Sequence, residues 1–428
     1  MSSLATRKIE NGLNRVRAAG GQHPNPVLAS SLTLISPATQ SVLDDILAAD
    51  GNFDALSRFS PRLPWDHVTL NHLRAAASLR LNDPVSAYTH QRTAYDAFLQ
   101  MLVDLPRWLI TTLYALSKDI IQVARHADRR LADDGRRPTL VEEATRRVNQ
   151  GFSLCLTDRE PQLSVSRKWG TYRMANLLFA LYLRQHAYKL CTSMIRAIRT
   201  AELPPLENFA ISDHITFRYY RGMLAFRAEN YAAARDDFVF AFRHCHRDAH
   251  HNKTLILIYL VPLMMVEGRM PDERALAAYP RVRALYSDFV RAAVAGNVGL
   301  FDRLLQEKEH DLAAVGTILA VEHVRKIAMR QLFYKVYLID GRPSRIAFER
   351  FKTGLAVAGL FLETIHVEAL LADMIHAGYM KGYLAHDHGL VVLSKQDPFP
   401  SFATMAATAT ASANGSATTP THLSTNNQ

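Results

Sequence analysis

Residues 380–394 read MKGYLAHDHGLVVLS, and this short stretch decides how the chain is read. Two runs that suit strands, Met380 to Ala385 and Leu390 to Ser394, flank the turn His386-Asp387-His388-Gly389, which predicts a β-hairpin. Upstream, Ile318 to Leu338 is patterned as one long amphipathic helix. Ser344 to Gly354 reads as a second, with Pro343 near its start. Val367, Leu370, Leu371, Met374 and Ile375 recur at i, i+3, i+4, i+7 and i+8 before Gly378, which predicts a third. Three helices followed by a hairpin is the order of a winged helix, expected over residues 311–400.

Further toward the N-terminus, strand signals are almost absent. Closely spaced amphipathic helices run from about Ser41, read as an N-cap, to Glu309. Such spacing predicts antiparallel pairs stacked into a solenoid. One pair can be tested by offsets: Gly222, Tyr231, Ala234 and Phe238 sit at tetratricopeptide positions, although the first-helix Trp and Tyr of that repeat are not met. The fold class is therefore mainly α, a solenoid of TPR-like helical hairpins followed by a C-terminal winged helix. The expected organisation is a weakly ordered segment over 1–40, an N-terminal helical solenoid over 41–205, and a second domain over 206–400. Within that domain, 206–310 would be helical repeats. Residues 401–428 contain no Lys, Arg, Asp or Glu and are rich in Ala, Thr, Ser and Asn, so they are expected to be a disordered tail.

Composition narrows the function. The 428 residues carry 50 Lys plus Arg against 40 Asp plus Glu, a formal charge of +10, which points to an acidic partner, nucleic acid or protein. The longest charge-free apolar run, Thr254 to Val266, is too short for the ~20 residues of a membrane helix, so no membrane insertion is expected. The start MSSLATRKIENGL has no apolar core of a secretory signal. Cys155, Cys191 and Cys245 lie in helical patterns without metal-type pairing and are expected to be reduced. His244 and His246 would point about 200° apart on a helix and cannot chelate one ion, so no metal and no cofactor is expected. No phosphate loop, dinucleotide fingerprint or hydrolase motif occurs, and the expected role is not that of an enzyme.

Three stretches carry a family resemblance. They are Lys168-Trp169-Gly170 with Leu190-Cys191 and Ile195 to Ile198; Phe242 to Arg247 with Asn252-Lys253 and Leu257 to Pro262; and Lys381 to His386 with Ser394 to Pro400. Together they resemble the "PCI domain-containing protein two" family, which includes the fungal PCI subunit of the nuclear-pore transcription-and-export complex and the signalosome subunit-twelve-like proteins. The resemblance covers about residues 40–400. It implies a right-handed helical-hairpin stack closed by a winged helix, with 206–400 as the PCI domain. It further implies a non-enzymatic scaffold subunit of messenger RNA export, in the nucleus, at the nuclear pore and also in the cytoplasm. The implied partners are a larger scaffold of the GANP type, a small acidic protein of the DSS/Sem type, and RNA or DNA bound non-specifically. Two rival expectations are another PCI assembly, signalosome-like or proteasome-lid-like, and a stand-alone winged-helix DNA-binding protein.

The candidate sites are electrostatic. Between Pro161 and Ala201 there is no acid, while Arg167, Lys168, Arg173, Arg184, Lys189, Arg196 and Arg199 stand among Trp169, Tyr172, Tyr182 and Tyr188. Arg167, Lys168 and Arg173 are the expected partner-binding residues, for an acidic protein or a phosphate backbone. The third helix of the winged region, the usual groove reader, offers Glu363, Glu368 and Asp373 without a Lys or Arg, which argues against base reading. Non-specific nucleic-acid contact is expected instead from Arg325, Lys326 and Arg330 on the long helix and from Lys381, His386, His388 and Lys395 around the hairpin. Val392, in the apolar run Leu390 to Leu393, is expected to pair with the scaffold along an exposed strand edge.

Overall fold

The computed structural model describes residues 26–50, 53–61, 63–102 and 107–402, with scattered positions between 7 and 18. All but the first two residues of the expected tail lie outside the described residues. The described chain is mainly helical and packs as two compact units, residues 1–220 and 221–428.

In the first unit the principal helices are α1 (Pro37–Asp50), α2 (Pro64–Arg80), α3 (Pro84–Leu102), α4 (Ile110–Asp133), α5 (Leu140–Leu156), α6 (Thr171–Arg184) and α7 (Tyr188–Thr200). The chain then enters α8 (Ile211–Arg227). From α2 to α7 each helix packs on the next in sequence, as short connections dictate. Local chemistry sets the starts. Asp83 accepts a hydrogen bond from the Ser86 N–H at 3.1 Å, and Pro84 takes the first helical position of α3.

Residues 26–40 depart from the expected weak order. Pro26–Ser31 is helical, and Leu28, Leu32 and Leu34 are buried. The next helix starts at Pro37, ahead of the expected cap at Ser41. The Ser36 hydroxyl accepts from the Thr39 N–H at 3.2 Å, and Pro37 needs no donor in a first turn whose N–H groups have no partner inside the helix. The segment is tied down by the Leu34 N–H, which donates to the buried carboxylate of Asp119 on α4 at 2.8 Å.

In the second unit α9 (Tyr231–His244) follows a cap in which the Asn230 side chain accepts from the Ala233 N–H. The tetratricopeptide-type offsets are met in space. Ala234 and Phe238 are fully buried, and a Cβ on Gly222 would stand 3.2 Å from both Asp237 Cβ and the Phe238 ring, so only glycine allows this approach without displacement. Then come α10 (His250–Val266), α11 (Pro280–Ala295), α12 (Val298–Glu307) and the long α13 (Ile318–Ile339).

The chain continues through β1 (Arg345–Ala347), α14 (Phe348–Val357), α15 (Thr364–His376), β2 (Gly382–Ala385) and β3 (Leu390–Leu393). The hairpin is where its sequence predicts it. The second helix is displaced from the expected Ser344 to Gly354: Arg345 to Ala347 are drawn into antiparallel pairing with β3, the helix starts only at Phe348, and it runs on to Val357. The sheet order is β1-β3-β2, so Val392 lies on the central strand, opposite Arg345 on one side and Tyr383 on the other. The expectation that Val392 flanks an exposed edge is corrected by this pairing: the edges belong to β1 and β2. Ile346, Val391 and Leu393 join Phe289, Phe301, Phe333, Phe351, Val367 and Leu371 in one core cluster. Each fully buried Phe there contributes about 2–3 kcal/mol.

Candidate nucleic-acid and partner interfaces

The cations expected around the hairpin do not form one cluster. Lys381 precedes β2 and Lys395 follows β3, so both lie at the end of the sheet remote from the turn, and both are exposed. Lys381 Nζ is 3.6 Å from Asp397, and its backbone N–H donates to the Pro398 carbonyl. His386 and His388 stand at the opposite end, in the turn. Glu368 of α15 accepts from the His386 ring at 2.8 Å, and this hydrogen bond raises the imidazole pKa above its ordinary value. The proton is therefore held more firmly, yet its charge faces a carboxylate.

Along α13 the three expected residues have three different fates. The Arg325 guanidinium makes a bidentate pair with Asp302 of α12, at 2.6 and 2.8 Å. Lys326 is exposed. Arg330 is withdrawn from any phosphate-binding set, because it is only 7% exposed. Its guanidinium donates to the carbonyls of Pro400 at 2.7 Å and Phe399 at 3.2 Å and lies 4.5 Å from the Phe402 ring centroid. The run after β3 thus returns as a clip over α13. Phe402 reaches Gly268, where a Cβ would overlap the ring at 2.2 Å. The composition of the Ser394 to Pro400 run contains aromatic and proline residues suited to such a clip, but its target could not be found without the fold.

In the first unit the acid-free stretch is closed by acids on either side of it. Arg167 Nη2 pairs with Asp158 at 2.7 Å, and the Arg167 N–H and the Ser166 hydroxyl donate to the same carboxylate. Arg167 Nη1 also donates to the Leu102 carbonyl. Arg173 pairs with Asp213 at 3.1 Å. Arg167 is therefore an internal brace, and Arg173 is half-neutralised at the surface. Lys168 is half-buried and has no ion pair among the described residues. Beside them lies a cavity of about 570 Å³ lined by Arg107, Trp169, Arg173, Phe209 and Asp213. Arg107 stacks 4.4 Å over the Trp169 ring, which itself meets Phe209 at 5.0 Å. Nothing in the local sequence joins positions so far apart.

The second unit also exposes apolar side chains. Ile339 is 86% exposed and Val357 85%, and both line a groove of about 500 Å³ between α13 and α14; Phe361, just beyond, is 85% exposed. Among the described residues no group of three or more His, Cys, Asp or Glu is placed to hold a metal ion, and no helix is long and apolar enough to cross a membrane. Cys155, Cys191 and Cys245 are free and buried, and burial pushes the Cys155 thiol up to about 12.

These features define a class: a mainly helical protein whose second unit ends in helices packed on a small antiparallel sheet, with polar and apolar surfaces that other chains can meet. The chain belongs to the family of PCI domain-containing protein 2 and the CSN12 homologs. It is 34% identical over 356 residues to "Protein CSN12 homolog" of Schizosaccharomyces pombe, covering 78% of this chain and 83% of that one. It is 30% identical over 388 residues to "PCI domain-containing protein 2" of Danio rerio, covering 84% and 96%. It is 32% identical over 346 residues to "PCI domain-containing protein 2 homolog" of Drosophila melanogaster, covering 79% and 85%. No family model matches the chain. The resemblance drawn from the three stretches between Lys168 and Pro400 names this same family.

Proposed function

We propose that the chain is a non-enzymatic scaffold subunit of a nuclear, transcription-coupled messenger RNA export complex. In this reading residues 206–400 form a PCI domain, with helical repeats over 206–310 and a winged helix over 311–400. The domain pairs with a GANP-type scaffold, holds a small acidic DSS/Sem-type protein, and contacts RNA or DNA without base preference. The observation that carries the reading is the element order α13-β1-α14-α15-β2-β3 in a chain of this family. Two features support its details. Ile339, Val357 and Phe361 offer an apolar patch of the kind that marks a protein interface. The third helix of the winged region, α15, carries Glu368 and Asp373 without a Lys or Arg, while Lys381 and Lys395 are exposed at the sheet end, which favours backbone contact over groove reading. Lys168 and Arg173, with part of their charge still solvent-facing, remain the partner-binding candidates of the first unit.

Affinity purification of the tagged chain from nuclear extract, with its companions identified by mass spectrometry, tests the reading. A GANP-type scaffold and a small acidic protein are the expected companions. A set of signalosome or proteasome-lid subunits would replace the reading with a different PCI assembly. Recovery without protein partners but with DNA would favour the stand-alone DNA-binding alternative.

A further inference from the structure

The first unit carries a cationic face that α4 and α6 share. On α4, Tyr114, Lys118, Gln122, Arg125 and Arg129 fall within about 80° of one another at 100° per residue. The opposite side of the helix is apolar core, including Leu113, Leu116, Ile120 and Val123. The acids of α4 make no ion pair with this stripe among the described residues, although Asp133 stands one turn beyond Arg129 and about 40° from it. Asp119 is buried against the Leu34 N–H, and Asp128 accepts from the Leu140 and Val141 N–H groups at the start of α5.

Helix α6 lies beside this stripe. Arg173 sits 5.2 Å over the Tyr114 ring, while Lys118 lies 5.7 Å from the same ring. Eleven residues on, Arg184 shares the phase of Arg173 to within about 20°, as Arg125 does that of Tyr114. Arg184 therefore comes alongside Arg125, and the consequence is visible electrostatically. The Arg125 guanidinium is held below its usual pKa by burial first, then by repulsion from Arg184 and Arg129. Arg173 has Asp213 as a partner, but among the described residues no ion pair is made by Lys118, Arg125, Arg129 or Arg184. Helix formation and packing thus hold like charges together, with no ion pair among the described residues to relieve them, over a stripe of about 16 Å.

We propose that this face of α4 and α6 grips the phosphate backbone of single-stranded RNA, as a sequence-independent contact separate from the C-terminal sheet. Three of the four unrelieved cations are arginines, whose planar forks match phosphate oxygens in pairs. Cations spaced along two adjacent helices match an unbroken line of negative charge, which a nucleic-acid strand supplies at every nucleotide. Tyr114 already has cations near its ring, so backbone rather than base stacking is the mode of contact. The inference stands on the first unit alone and does not depend on the complex proposed above.

The test is fluorescence anisotropy of a labelled 15-nucleotide oligouridylate with the full chain, repeated from about 50 to 200 mM salt. The variant is Arg125→Gln/Arg129→Gln/Arg184→Gln, which removes no ion pair recorded within the fold. Each lost single-strand phosphate contact should reduce the slope of log affinity against log salt by about 0.7, so the triple variant should lose about 2 from the slope and bind at least tenfold more weakly near 0.1 M. Lys381→Gln/Lys395→Gln serves as the comparison. Its effect should add to that of the triple variant, while failure of the complex to form would be read in purification, not here. Should the triple variant lose helicity, the exposed pair Lys118→Gln/Arg129→Gln gives the same test with an expected slope change of about 1.4. No RNA binding by the wild-type chain, or an unchanged slope in a folded variant, would overturn the proposal. A variant that binds RNA normally but loses polyglutamate would overturn it in favour of an acidic protein partner.

Discussion

Replacing Arg330 with Met separates a structural cation from a nucleic-acid contact. The substitution keeps the side chain's volume on α13 but removes both hydrogen bonds to the Phe399 and Pro400 carbonyls and the cation above the Phe402 ring. Charged hydrogen bonds contribute about 1.5–3 kcal/mol each, which sets a gross loss of about 3–6 kcal/mol. Part is returned. Burial alone pulls the Arg330 pKa down, no carboxylate touches its guanidinium, and its buried Nε has no hydrogen-bond partner among the described residues, so removing the cation relieves a desolvation cost of a few kcal/mol. A net loss of about 2 kcal/mol is expected. With a urea dependence of about 2 kcal/mol per M, the unfolding midpoint of the second unit should fall by about 1 M. Residues 397–402 should be cut first in limited proteolysis, because their carbonyls can find water only by peeling away from α13. The salt slope of RNA binding should not change, whereas a phosphate-binding Arg330 would reduce it by about 0.7. A variant of wild-type midpoint whose salt slope falls would refute this reasoning and return Arg330 to the binding surface.

Three other outcomes follow from particular contacts. Gly222→Leu should lower the stability of the second unit by about 2–3 kcal/mol, because the new side chain would enter space held by Asp237 and Phe238; an unchanged urea midpoint would mean that α9 can shift freely. Val392→Asp should weaken co-purification with a partner only together with loss of the sheet, since Val392 is half-buried on the central strand; a well-folded variant that loses the partner would make Val392 a direct contact. In the first unit two buried groups should oppose each other in acid. Burial raises Asp119 from 3.8 to about 6, so the folded state takes up its proton first and gains stability as pH falls from about 6 to about 4. Burial lowers His72 from 6.5 to about 4, so the unfolded state takes up its proton first and stability is lost across nearly the same window. Each amounts to roughly 3 kcal/mol at full titration. Asp119→Asn should therefore leave the unit more acid-sensitive between pH 6.5 and 4, and His72→Gln less so, by circular dichroism melts at stepped pH. Identical pH profiles in both variants would contradict the opposition.

What the sequence could show depended on how local the governing interaction was. The hairpin around Gly389, the helix carrying Val367, Leu371 and Met374, and the Gly222 to Phe238 pair each rest on contacts within a few turns, and each is found where its pattern predicts. Arg345 to Ala347 read as helix because nothing local marks a three-residue strand. Only pairing with Val392, far along the chain, makes it one. The same limit governed the charges. The absence of acids between Pro161 and Ala201 is real, but Asp158 and Asp213 fold back onto Arg167 and Arg173, and the clip at Phe399 and Pro400 folds back onto Arg330.

A cation's place in a run therefore says little about whether its charge is free, and the deciding quantity is what the fold brings within about 4 Å. By that measure the most conspicuous cations of the sequence are partly consumed inside the units. Arg125 and Arg129, which lie in an ordinary mixed-charge helix, make no ion pair among the described residues, and α6 sets Arg184 against Arg125 instead of an acid. Holding like charges together costs folding free energy, and a fold could reduce that cost by one substitution to Glu on the facing helix. The arrangement is most simply understood if the relief comes from outside the chain. A polyanion bound along α4 and α6 would supply it; in the ligand-free chain, salt should then slightly raise the melting temperature of the first unit in circular dichroism, since screening reduces the same repulsion that the ligand reduces, and a fall with salt would contradict this.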